Sequence, residues 1–192
     1  YTVLISDALG RTSQPSTSVI ITVNPLPTVA AITGINTVCL GATTNLFSTT
    51  PGGVWSSATA AVATISANGV VTGAAAGTSA INYTVTNANG CVNKSTATLT
   101  VNVLPVVAAI SGSSSLCAGA SITLGNATAG GVWNSATLGV ATISATGVVS
   151  GISAGTSVVK YTVTNAAGCD SAATLVLTVK ATSTSTTNAS IC

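Results

Sequence analysis

The residues with the means to do chemistry in this chain are its five cysteines, and their spacing is regular. Cys39 and Cys117 stand 117 − 39 = 78 residues apart, and Cys91 and Cys169 repeat that interval. Within each copy the two cysteines are 91 − 39 = 52 residues apart. No Cys-x-x-Cys pair occurs and the chain has no histidine, so a zinc site lacks its usual ligands and no metal or cofactor is expected. Paired thiols in small β modules point to disulfides made in an oxidising, extracellular compartment. Cys39, Cys91, Cys117 and Cys169 are therefore expected to be oxidised. Cys192, the odd one, is expected to pair beyond the end of this sequence.

Two pairings are open. Bonds within a copy, Cys39–Cys91 and Cys117–Cys169, are preferred because both copies carry both cysteines. Each would close a loop whose chain-entropy contribution is about 4 kcal/mol, a large share for a module with a modest core. The alternative comes from strand direction. If the strands of a copy alternate up and down, its two cysteines lie at opposite poles, and Cys39 faces Cys169 of the next copy across the joint.

Other chemistry has little to work with. A hydrolytic site needs a base and commonly a nucleophile's partner, but there is no Glu and the side-chain carboxylates are Asp7 and Asp170. Two carboxylates so far apart in the chain do not read as a glycosidase pair, and calcium wants a cluster of oxygens that nothing supplies. An enzyme is not expected. Lys94, Lys160 and Lys180 have no neighbouring acid in sequence to promote a crosslink to asparagine. Asn82, Asn93, Asn126 and Asn188 open N-x-S/T sequons, as chance provides in a chain this rich in Asn and Thr. Asp170-Ser171-Ala172 is similar to a short O-glycosylation signal. Trp55 and Trp133 could stack on sugars, yet both sit mid-strand in an apolar pattern after Gly-Gly. They are expected in the core, as are Tyr83 and Tyr161.

The elements that must position these residues are themselves copied. Gly52–Tyr83 returns as Gly130–Tyr161 at the same offset of 78, ungapped from Asn24 to Val179, with more than half of the paired positions identical. A long exact period means one structural unit used twice. In the first copy, Val29–Ile32, Thr43–Phe47, Val54–Ser56, Val62–Ser66, Val70–Thr72 and Ser79–Thr86 read as strands. The final strand turns Ala97, Leu99 and Val101 inward and Thr98 and Thr100 outward. Asn68-Gly69 marks a hairpin. Period-2 alternation with turns every 8–12 residues predicts an all-β, two-sheet sandwich of about seven strands per copy. The predicted organisation is residues 1–25 as the end of a preceding module, 26–103 and 104–181 as complete modules, and 182–192 as the start of another or a tail. Gly10-Arg11 stands where the full copies have Gly-Cys. The Pro-containing joints at 24–27 and 103–105 are short, which limits hinge freedom.

Composition bounds the partners. The chain is 47% hydrophobic and only 3% charged, with a net charge of +2. That is too little for nucleic acid, and no apolar run is long enough to span a membrane.

The core stretch resembles bacterial Ig-like domains of group 2, repeated in the stalks of invasin- and intimin-like surface proteins. The residues that carry the likeness are Val54–Ser57, Val62–Ser66, Gly69–Gly73 and Ala76–Ser79, repeated from Val132 to Ser157. The added cysteines resemble a variant in long secreted bacterial repeat proteins. The resemblance implies an extracellular, cell-surface, non-enzymatic protein made of tandem Ig-like β-sandwich modules. A fibre, filament or adhesin stalk is the expected role, with neighbouring modules or identical subunits as partners and glycans as possible ones. A carbohydrate- or receptor-binding adhesin module is the alternative, and an exposed aromatic would favour it. If residues 1–23 end a module begun elsewhere, Val19, Ile21 and Val23 are expected to be covered by strands outside this chain.

Overall fold

The computed structural model describes residues 3–14 and 20–182, and these contain strands and turns but no helix. The first sandwich comprises β1 (Thr33–Gly34), β2 (Thr37–Cys39), β3 (Thr43–Phe47), β4 (Val54–Ser57), β5 (Ala63–Ile65), β6 (Val70–Gly73), β7 (Gly77–Thr86) and β8 (Val92–Asn102). One sheet runs β1-β3-β6-β5 and the facing sheet runs β2-β8-β7-β4. All pairings are antiparallel except that of β2 with β8, which is parallel.

The second sandwich comprises β9 (Ile110–Ser111), β10 (Ser115–Cys117), β11 (Ser121–Thr123), β12 (Gly125–Asn126), β13 (Val132–Ser135), β14 (Ala141–Ile143), β15 (Val148–Gly151), β16 (Gly155–Thr164) and β17 (Asp170–Lys180). Its sheet order β10-β17-β16-β13 copies the first, again with a parallel edge pair, β10 with β17. Its other layer is divided into β11-β15-β14 and the short pair β12-β9. Two layers of this kind make each unit an Ig-like β-sandwich.

Alternation builds the interior. Along β7, Ser79, Ile81, Tyr83 and Val85 are buried while their neighbours are not. Leu46, Val71, Ile81 and Leu99 close the first core, and Leu124, Val149, Val159 and Leu177 close the second in register with them. Each such side chain contributes about 1.5–3 kcal/mol on full burial. Lys160, which replaces Asn82, stands on the outer face of β16.

The opening of each module differs from the predicted single strand at Val29–Ile32. The chain instead makes β1 at Thr33–Gly34, crosses to the other sheet, and adds β2 beside β8; β9 and β10 repeat this in the second module. Gly34 makes the crossing, at φ +120°, with the Asn45 carbonyl where a Cβ would stand. Gly112 repeats this at φ +117°. Only glycine takes that backbone without strain.

The crossing sets polarity. Cys39 ends β2 opposite Asn102, the last residue of β8, at the pole from which the linker leaves. Cys91 immediately precedes β8 at the other pole. Eleven residues of strand separate the poles by about 35 Å.

Within residues 3–14 and 20–27, Ser6 bridges Thr12 and Ser13 N–H donates to Ile5 O, closing a short hairpin. Ile21 and Val23 are exposed. The cover expected over them does not come from the described residues, and Val19 lies outside the described residues.

Candidate functional site at the junction between the sandwiches

The junction is built by one turn. Between β16 and β17, Asn165 accepts the N–H groups of Ala167 and Cys169 on its Oδ1, both at 3.0 Å. Gly168, at φ +77°, closes the turn with its N–H on Asn165 O. The other end of the side chain reaches out, and Nδ2 donates to Val103 O of the incoming linker at 2.8 Å. Asn165 therefore shapes the turn that presents Cys169 and also grips the chain arriving from the first sandwich.

The same turn at the start of the first sandwich has the same bonds. Asn87 Oδ1 accepts from Asn89 and Cys91, and Nδ2 donates to Pro25 O at 2.9 Å. Asn93 adds a bond from its Nδ2 to Pro27 O. Residues 7–11 form the turn a third time, with Asp7 accepting from Leu9 and Arg11. There Arg11 replaces the cysteine and pairs with the Asp7 carboxylate at 2.7 Å.

Cys169 is bonded to Cys39 with Cα atoms 5.7 Å apart. The bond joins the exit pole of the first sandwich to the entry pole of the second, so the linker is one of two covalent connections there. The preferred pairing of Cys39 with Cys91 and Cys117 with Cys169 is thus corrected. The two cysteines of one module stand at opposite ends of an eleven-residue strand, far beyond the roughly 7 Å between Cα atoms that a disulfide tolerates. Cys117 is disulfide-bonded as well. Cys91, expected to be oxidised, carries an unbonded thiol and is half-buried. Cys192 lies outside the described residues.

The aromatic residues form a second repeated cluster. Trp55 and Tyr83 lie with ring centroids 4.6 Å apart and tilted by 53°, and Trp133 and Tyr161 repeat this at 4.6 Å and 51°. The tyrosines are buried, whereas the tryptophans are half-buried and pack against the core from its margin. Tyr83 Oη donates to Thr50 O at 2.7 Å and accepts from Gly53 N–H at 2.9 Å. Tyr161 does the same with Thr128 and Gly131. Gly53 and Gly131 are glycine because a Cβ there would enter the tyrosine ring. This explains the second glycine of each Gly-Gly-Val-Trp.

Other predicted candidates are engaged locally. Asn93 and Asn126 spend their amides on backbone carbonyls, and Asn82 accepts from Thr96. Asn188 lies outside the described residues. Asp170 accepts from the Thr164 hydroxyl. Among the described residues, no group of three or more His, Cys, Asp or Glu side chains could hold a metal ion. No helix is long and apolar enough to cross a membrane. Sequence reasoning missed the two asparagines of the junction turns, although Asn-x-x-Gly-Cys stood at both. It also missed Ser79 and Ser157, buried serines that tie Thr59 and Thr137 to the sheet.

No protein-family model matches the chain, and no curated protein matches it in sequence. Among solved structures, it is similar to domains 4 and 5 of the S-layer protein SbsC at 15% identity, covering 80% of this chain and 99% of that one with a TM-score of 0.37. A C-terminal 282-residue fragment of intimin, solved with the intimin-binding domain of its translocated receptor, is similar at 14% identity, with 80% and 64% covered and a TM-score of 0.40. A Ca2+-stabilized adhesin with which an Antarctic bacterium binds ice is similar at 18% identity, with 95% and 57% covered and a TM-score of 0.37. The chain spans 30% of a longer SbsC structure that it matches.

Proposed function

We propose that this chain is a load-bearing segment of an extracellular, cell-surface repeat protein, a fibre, filament or adhesin stalk. Its Ig-like modules, residues 26–103 and 104–181, are stacked end to end and stapled. The observation that carries the reading is the Cys39–Cys169 bond across the junction. A staple between modules does nothing for either core; it fixes how one unit sits on the next, which is what a fibre requires. Disulfides persist outside the reducing cytosol, which supports an extracellular site. The modules read as the group 2, invasin- and intimin-like type in a cysteine-bearing form. The protein acts without catalysis, and its partners are modules or subunits of its own kind, with glycans a further candidate. Residues 3–14 and 20–25 are read as the end of a preceding module, whose continuing strands would cover Ile21 and Val23.

The test is shape under reduction. Small-angle scattering of the oxidised chain should give one elongated, narrow distance distribution, and reduction should broaden it while leaving both sandwiches folded. A distribution indifferent to reductant counts against the staple.

The adhesin reading has one observation in its favour. Phe47 is 57% exposed on β3, and its counterpart in the second copy is Gly125. A single ring is a small platform. Glycan-array binding abolished by Phe47→Ala would promote that reading.

A further inference from the structure

We infer that Cys91 is the receiving thiol of a second intermodule disulfide, whose partner is the opening cysteine of the module that ends at Val23. The inference rests on the reading of the junction as a staple and extends it from one joint to a ladder.

The first observation is equivalence of the two turns. Asn87 and Asn165 make the same internal bonds and the same outward bond, to Pro25 O and to Val103 O, positions 78 residues apart. The turn that presents Cys91 is thus already docked on an incoming linker, as the turn that presents Cys169 is. The second observation is where the Cys91 sulfur lies. It donates to the carbonyl of Asn24 at 3.8 Å. Asn24 corresponds to Asn102, again 78 residues on. Asn102 is the residue that lies beside Cys39 in the parallel β2–β8 pair, and its carbonyl takes the N–H of Leu40. A module ending at Val23 in the same register would bring its own opening cysteine beside Asn24, at the Cys91 thiol. Cys169, which is bonded, is fully buried, while Cys91 is half-buried.

The turn at residues 7–11 supports the assignment by contrast. There the cysteine and the outward amide are absent together. Arg11 has no thiol, and Asp7 accepts from the turn but has no N–H to give a linker. The amide and the thiol occur together, at the turns of Asn87 and Asn165, and are missing together from this one.

The step is an oxidation of two thiols. The S–H bonds of Cys91 and of the opening cysteine break, one S–S bond forms, and two protons and two electrons pass to an oxidised dithiol carrier. The carrier's disulfide becomes two thiols.

The experiment compares the full chain with a tandem in which a second copy of residues 26–103 replaces residues 1–25. This places an opening cysteine the same 130 residues ahead of Cys91 that Cys39 stands ahead of Cys169. Both proteins are oxidised with glutathione disulfide, alkylated and mapped without reductant. The expected result is alkylation of Cys91 in the original chain, and in the tandem a peptide joining the added cysteine to Cys91 beside the Cys39–Cys169 peptide. Alkylated Cys91 in a tandem that has formed Cys39–Cys169 would overturn the inference and leave the staple standing. Dimers of the original chain linked through two Cys91 residues, in place of the tandem crosslink, would overturn it too. Absence of Cys39–Cys169 from both proteins would overturn the staple itself, and the ladder with it.

Discussion

Cys39 and Cys169 are 130 residues apart in the chain and are joined by a disulfide, although one lies in the second strand of the first sandwich and the other immediately precedes the last strand of the second. Tension applied along the chain therefore passes from β2 across the bond into β17. Nearly the whole of both sandwiches lies inside the covalent loop and is bypassed. In single-molecule stretching, the oxidised chain should release length only from outside the two cysteines. Reduction should add about 45 nm of contour, from the 130 residues of the loop at about 3.5 Å per extended residue. Equal extension in both redox states would remove the mechanical role.

Tyr83 is held by two backbone groups rather than by packing alone. Tyr83→Phe keeps the ring against Trp55 but leaves Thr50 O and Gly53 N–H without their partner. A cost of about 1–3 kcal/mol is expected from the stranded groups. Tyr161→Phe should cost the second sandwich the same. Trp55→Ala should cost about 3 kcal/mol, the low end for large aromatics because the ring is half-buried. Denaturant unfolding of each variant, followed by amide NMR signals from both sandwiches, checks the values and shows which transition belongs to which sandwich.

The sandwich and its core were legible because alternation reports directly on which face of a strand is covered. Ile81, Tyr83 and Val85 could be placed inside from spacing alone. Period also located the cysteines, but not their partners. Pairing depends on pole, and pole depends on whether β2 runs with or against β8. That direction is set by the crossing at Gly34, a local backbone event of two residues that no hydrophobic pattern encodes. The strand-direction argument had the right consequence, while the preference for pairing inside a copy rested on counting alone. The tryptophans were placed too deep because an apolar flank shows contact with a core, not how much of a wide ring the core can cover.

Asp7 gives the turn at residues 7–11 a pH response. Backbone and side-chain hydrogen bonds from Arg11 hold its carboxyl below the ordinary aspartate value. A group with a depressed folded pKa stabilises its fold above its unfolded pKa and loses that contribution as pH falls through the folded one. The turn should thus be intact at neutral pH and loosen in acid, below the point where a free aspartate titrates. Carbon-13 NMR of the Asp7 carboxyl should show the low midpoint, and amide exchange at Leu9 and Arg11 should quicken through it. The turn at Asn87 has no carboxylate and should not respond. A midpoint at or above the ordinary value would contradict the bonding described.

The Asp7 turn also shows how to separate the two duties of Asn165. A carboxylate at this position still accepts from the turn's N–H groups, as Asp7 does from Leu9 and Arg11. It cannot donate to a linker carbonyl. Asn165→Asp should therefore leave the turn folded and remove only the 2.8 Å bond to Val103 O. The loss of one hydrogen bond, about 0.5–1.5 kcal/mol, lowers the effective concentration of Cys169 at Cys39 by about two- to tenfold. Equilibration with a glutathione redox buffer measures this directly, as the ratio of buffer at which half of the Cys39–Cys169 bond has formed. Asn87→Asp is the control, because its turn presents Cys91 and touches neither sulfur of that bond. If Asn165→Asp leaves the midpoint where it was, the asparagine only shapes the turn, and the alignment of the two sandwiches must come from the linker itself.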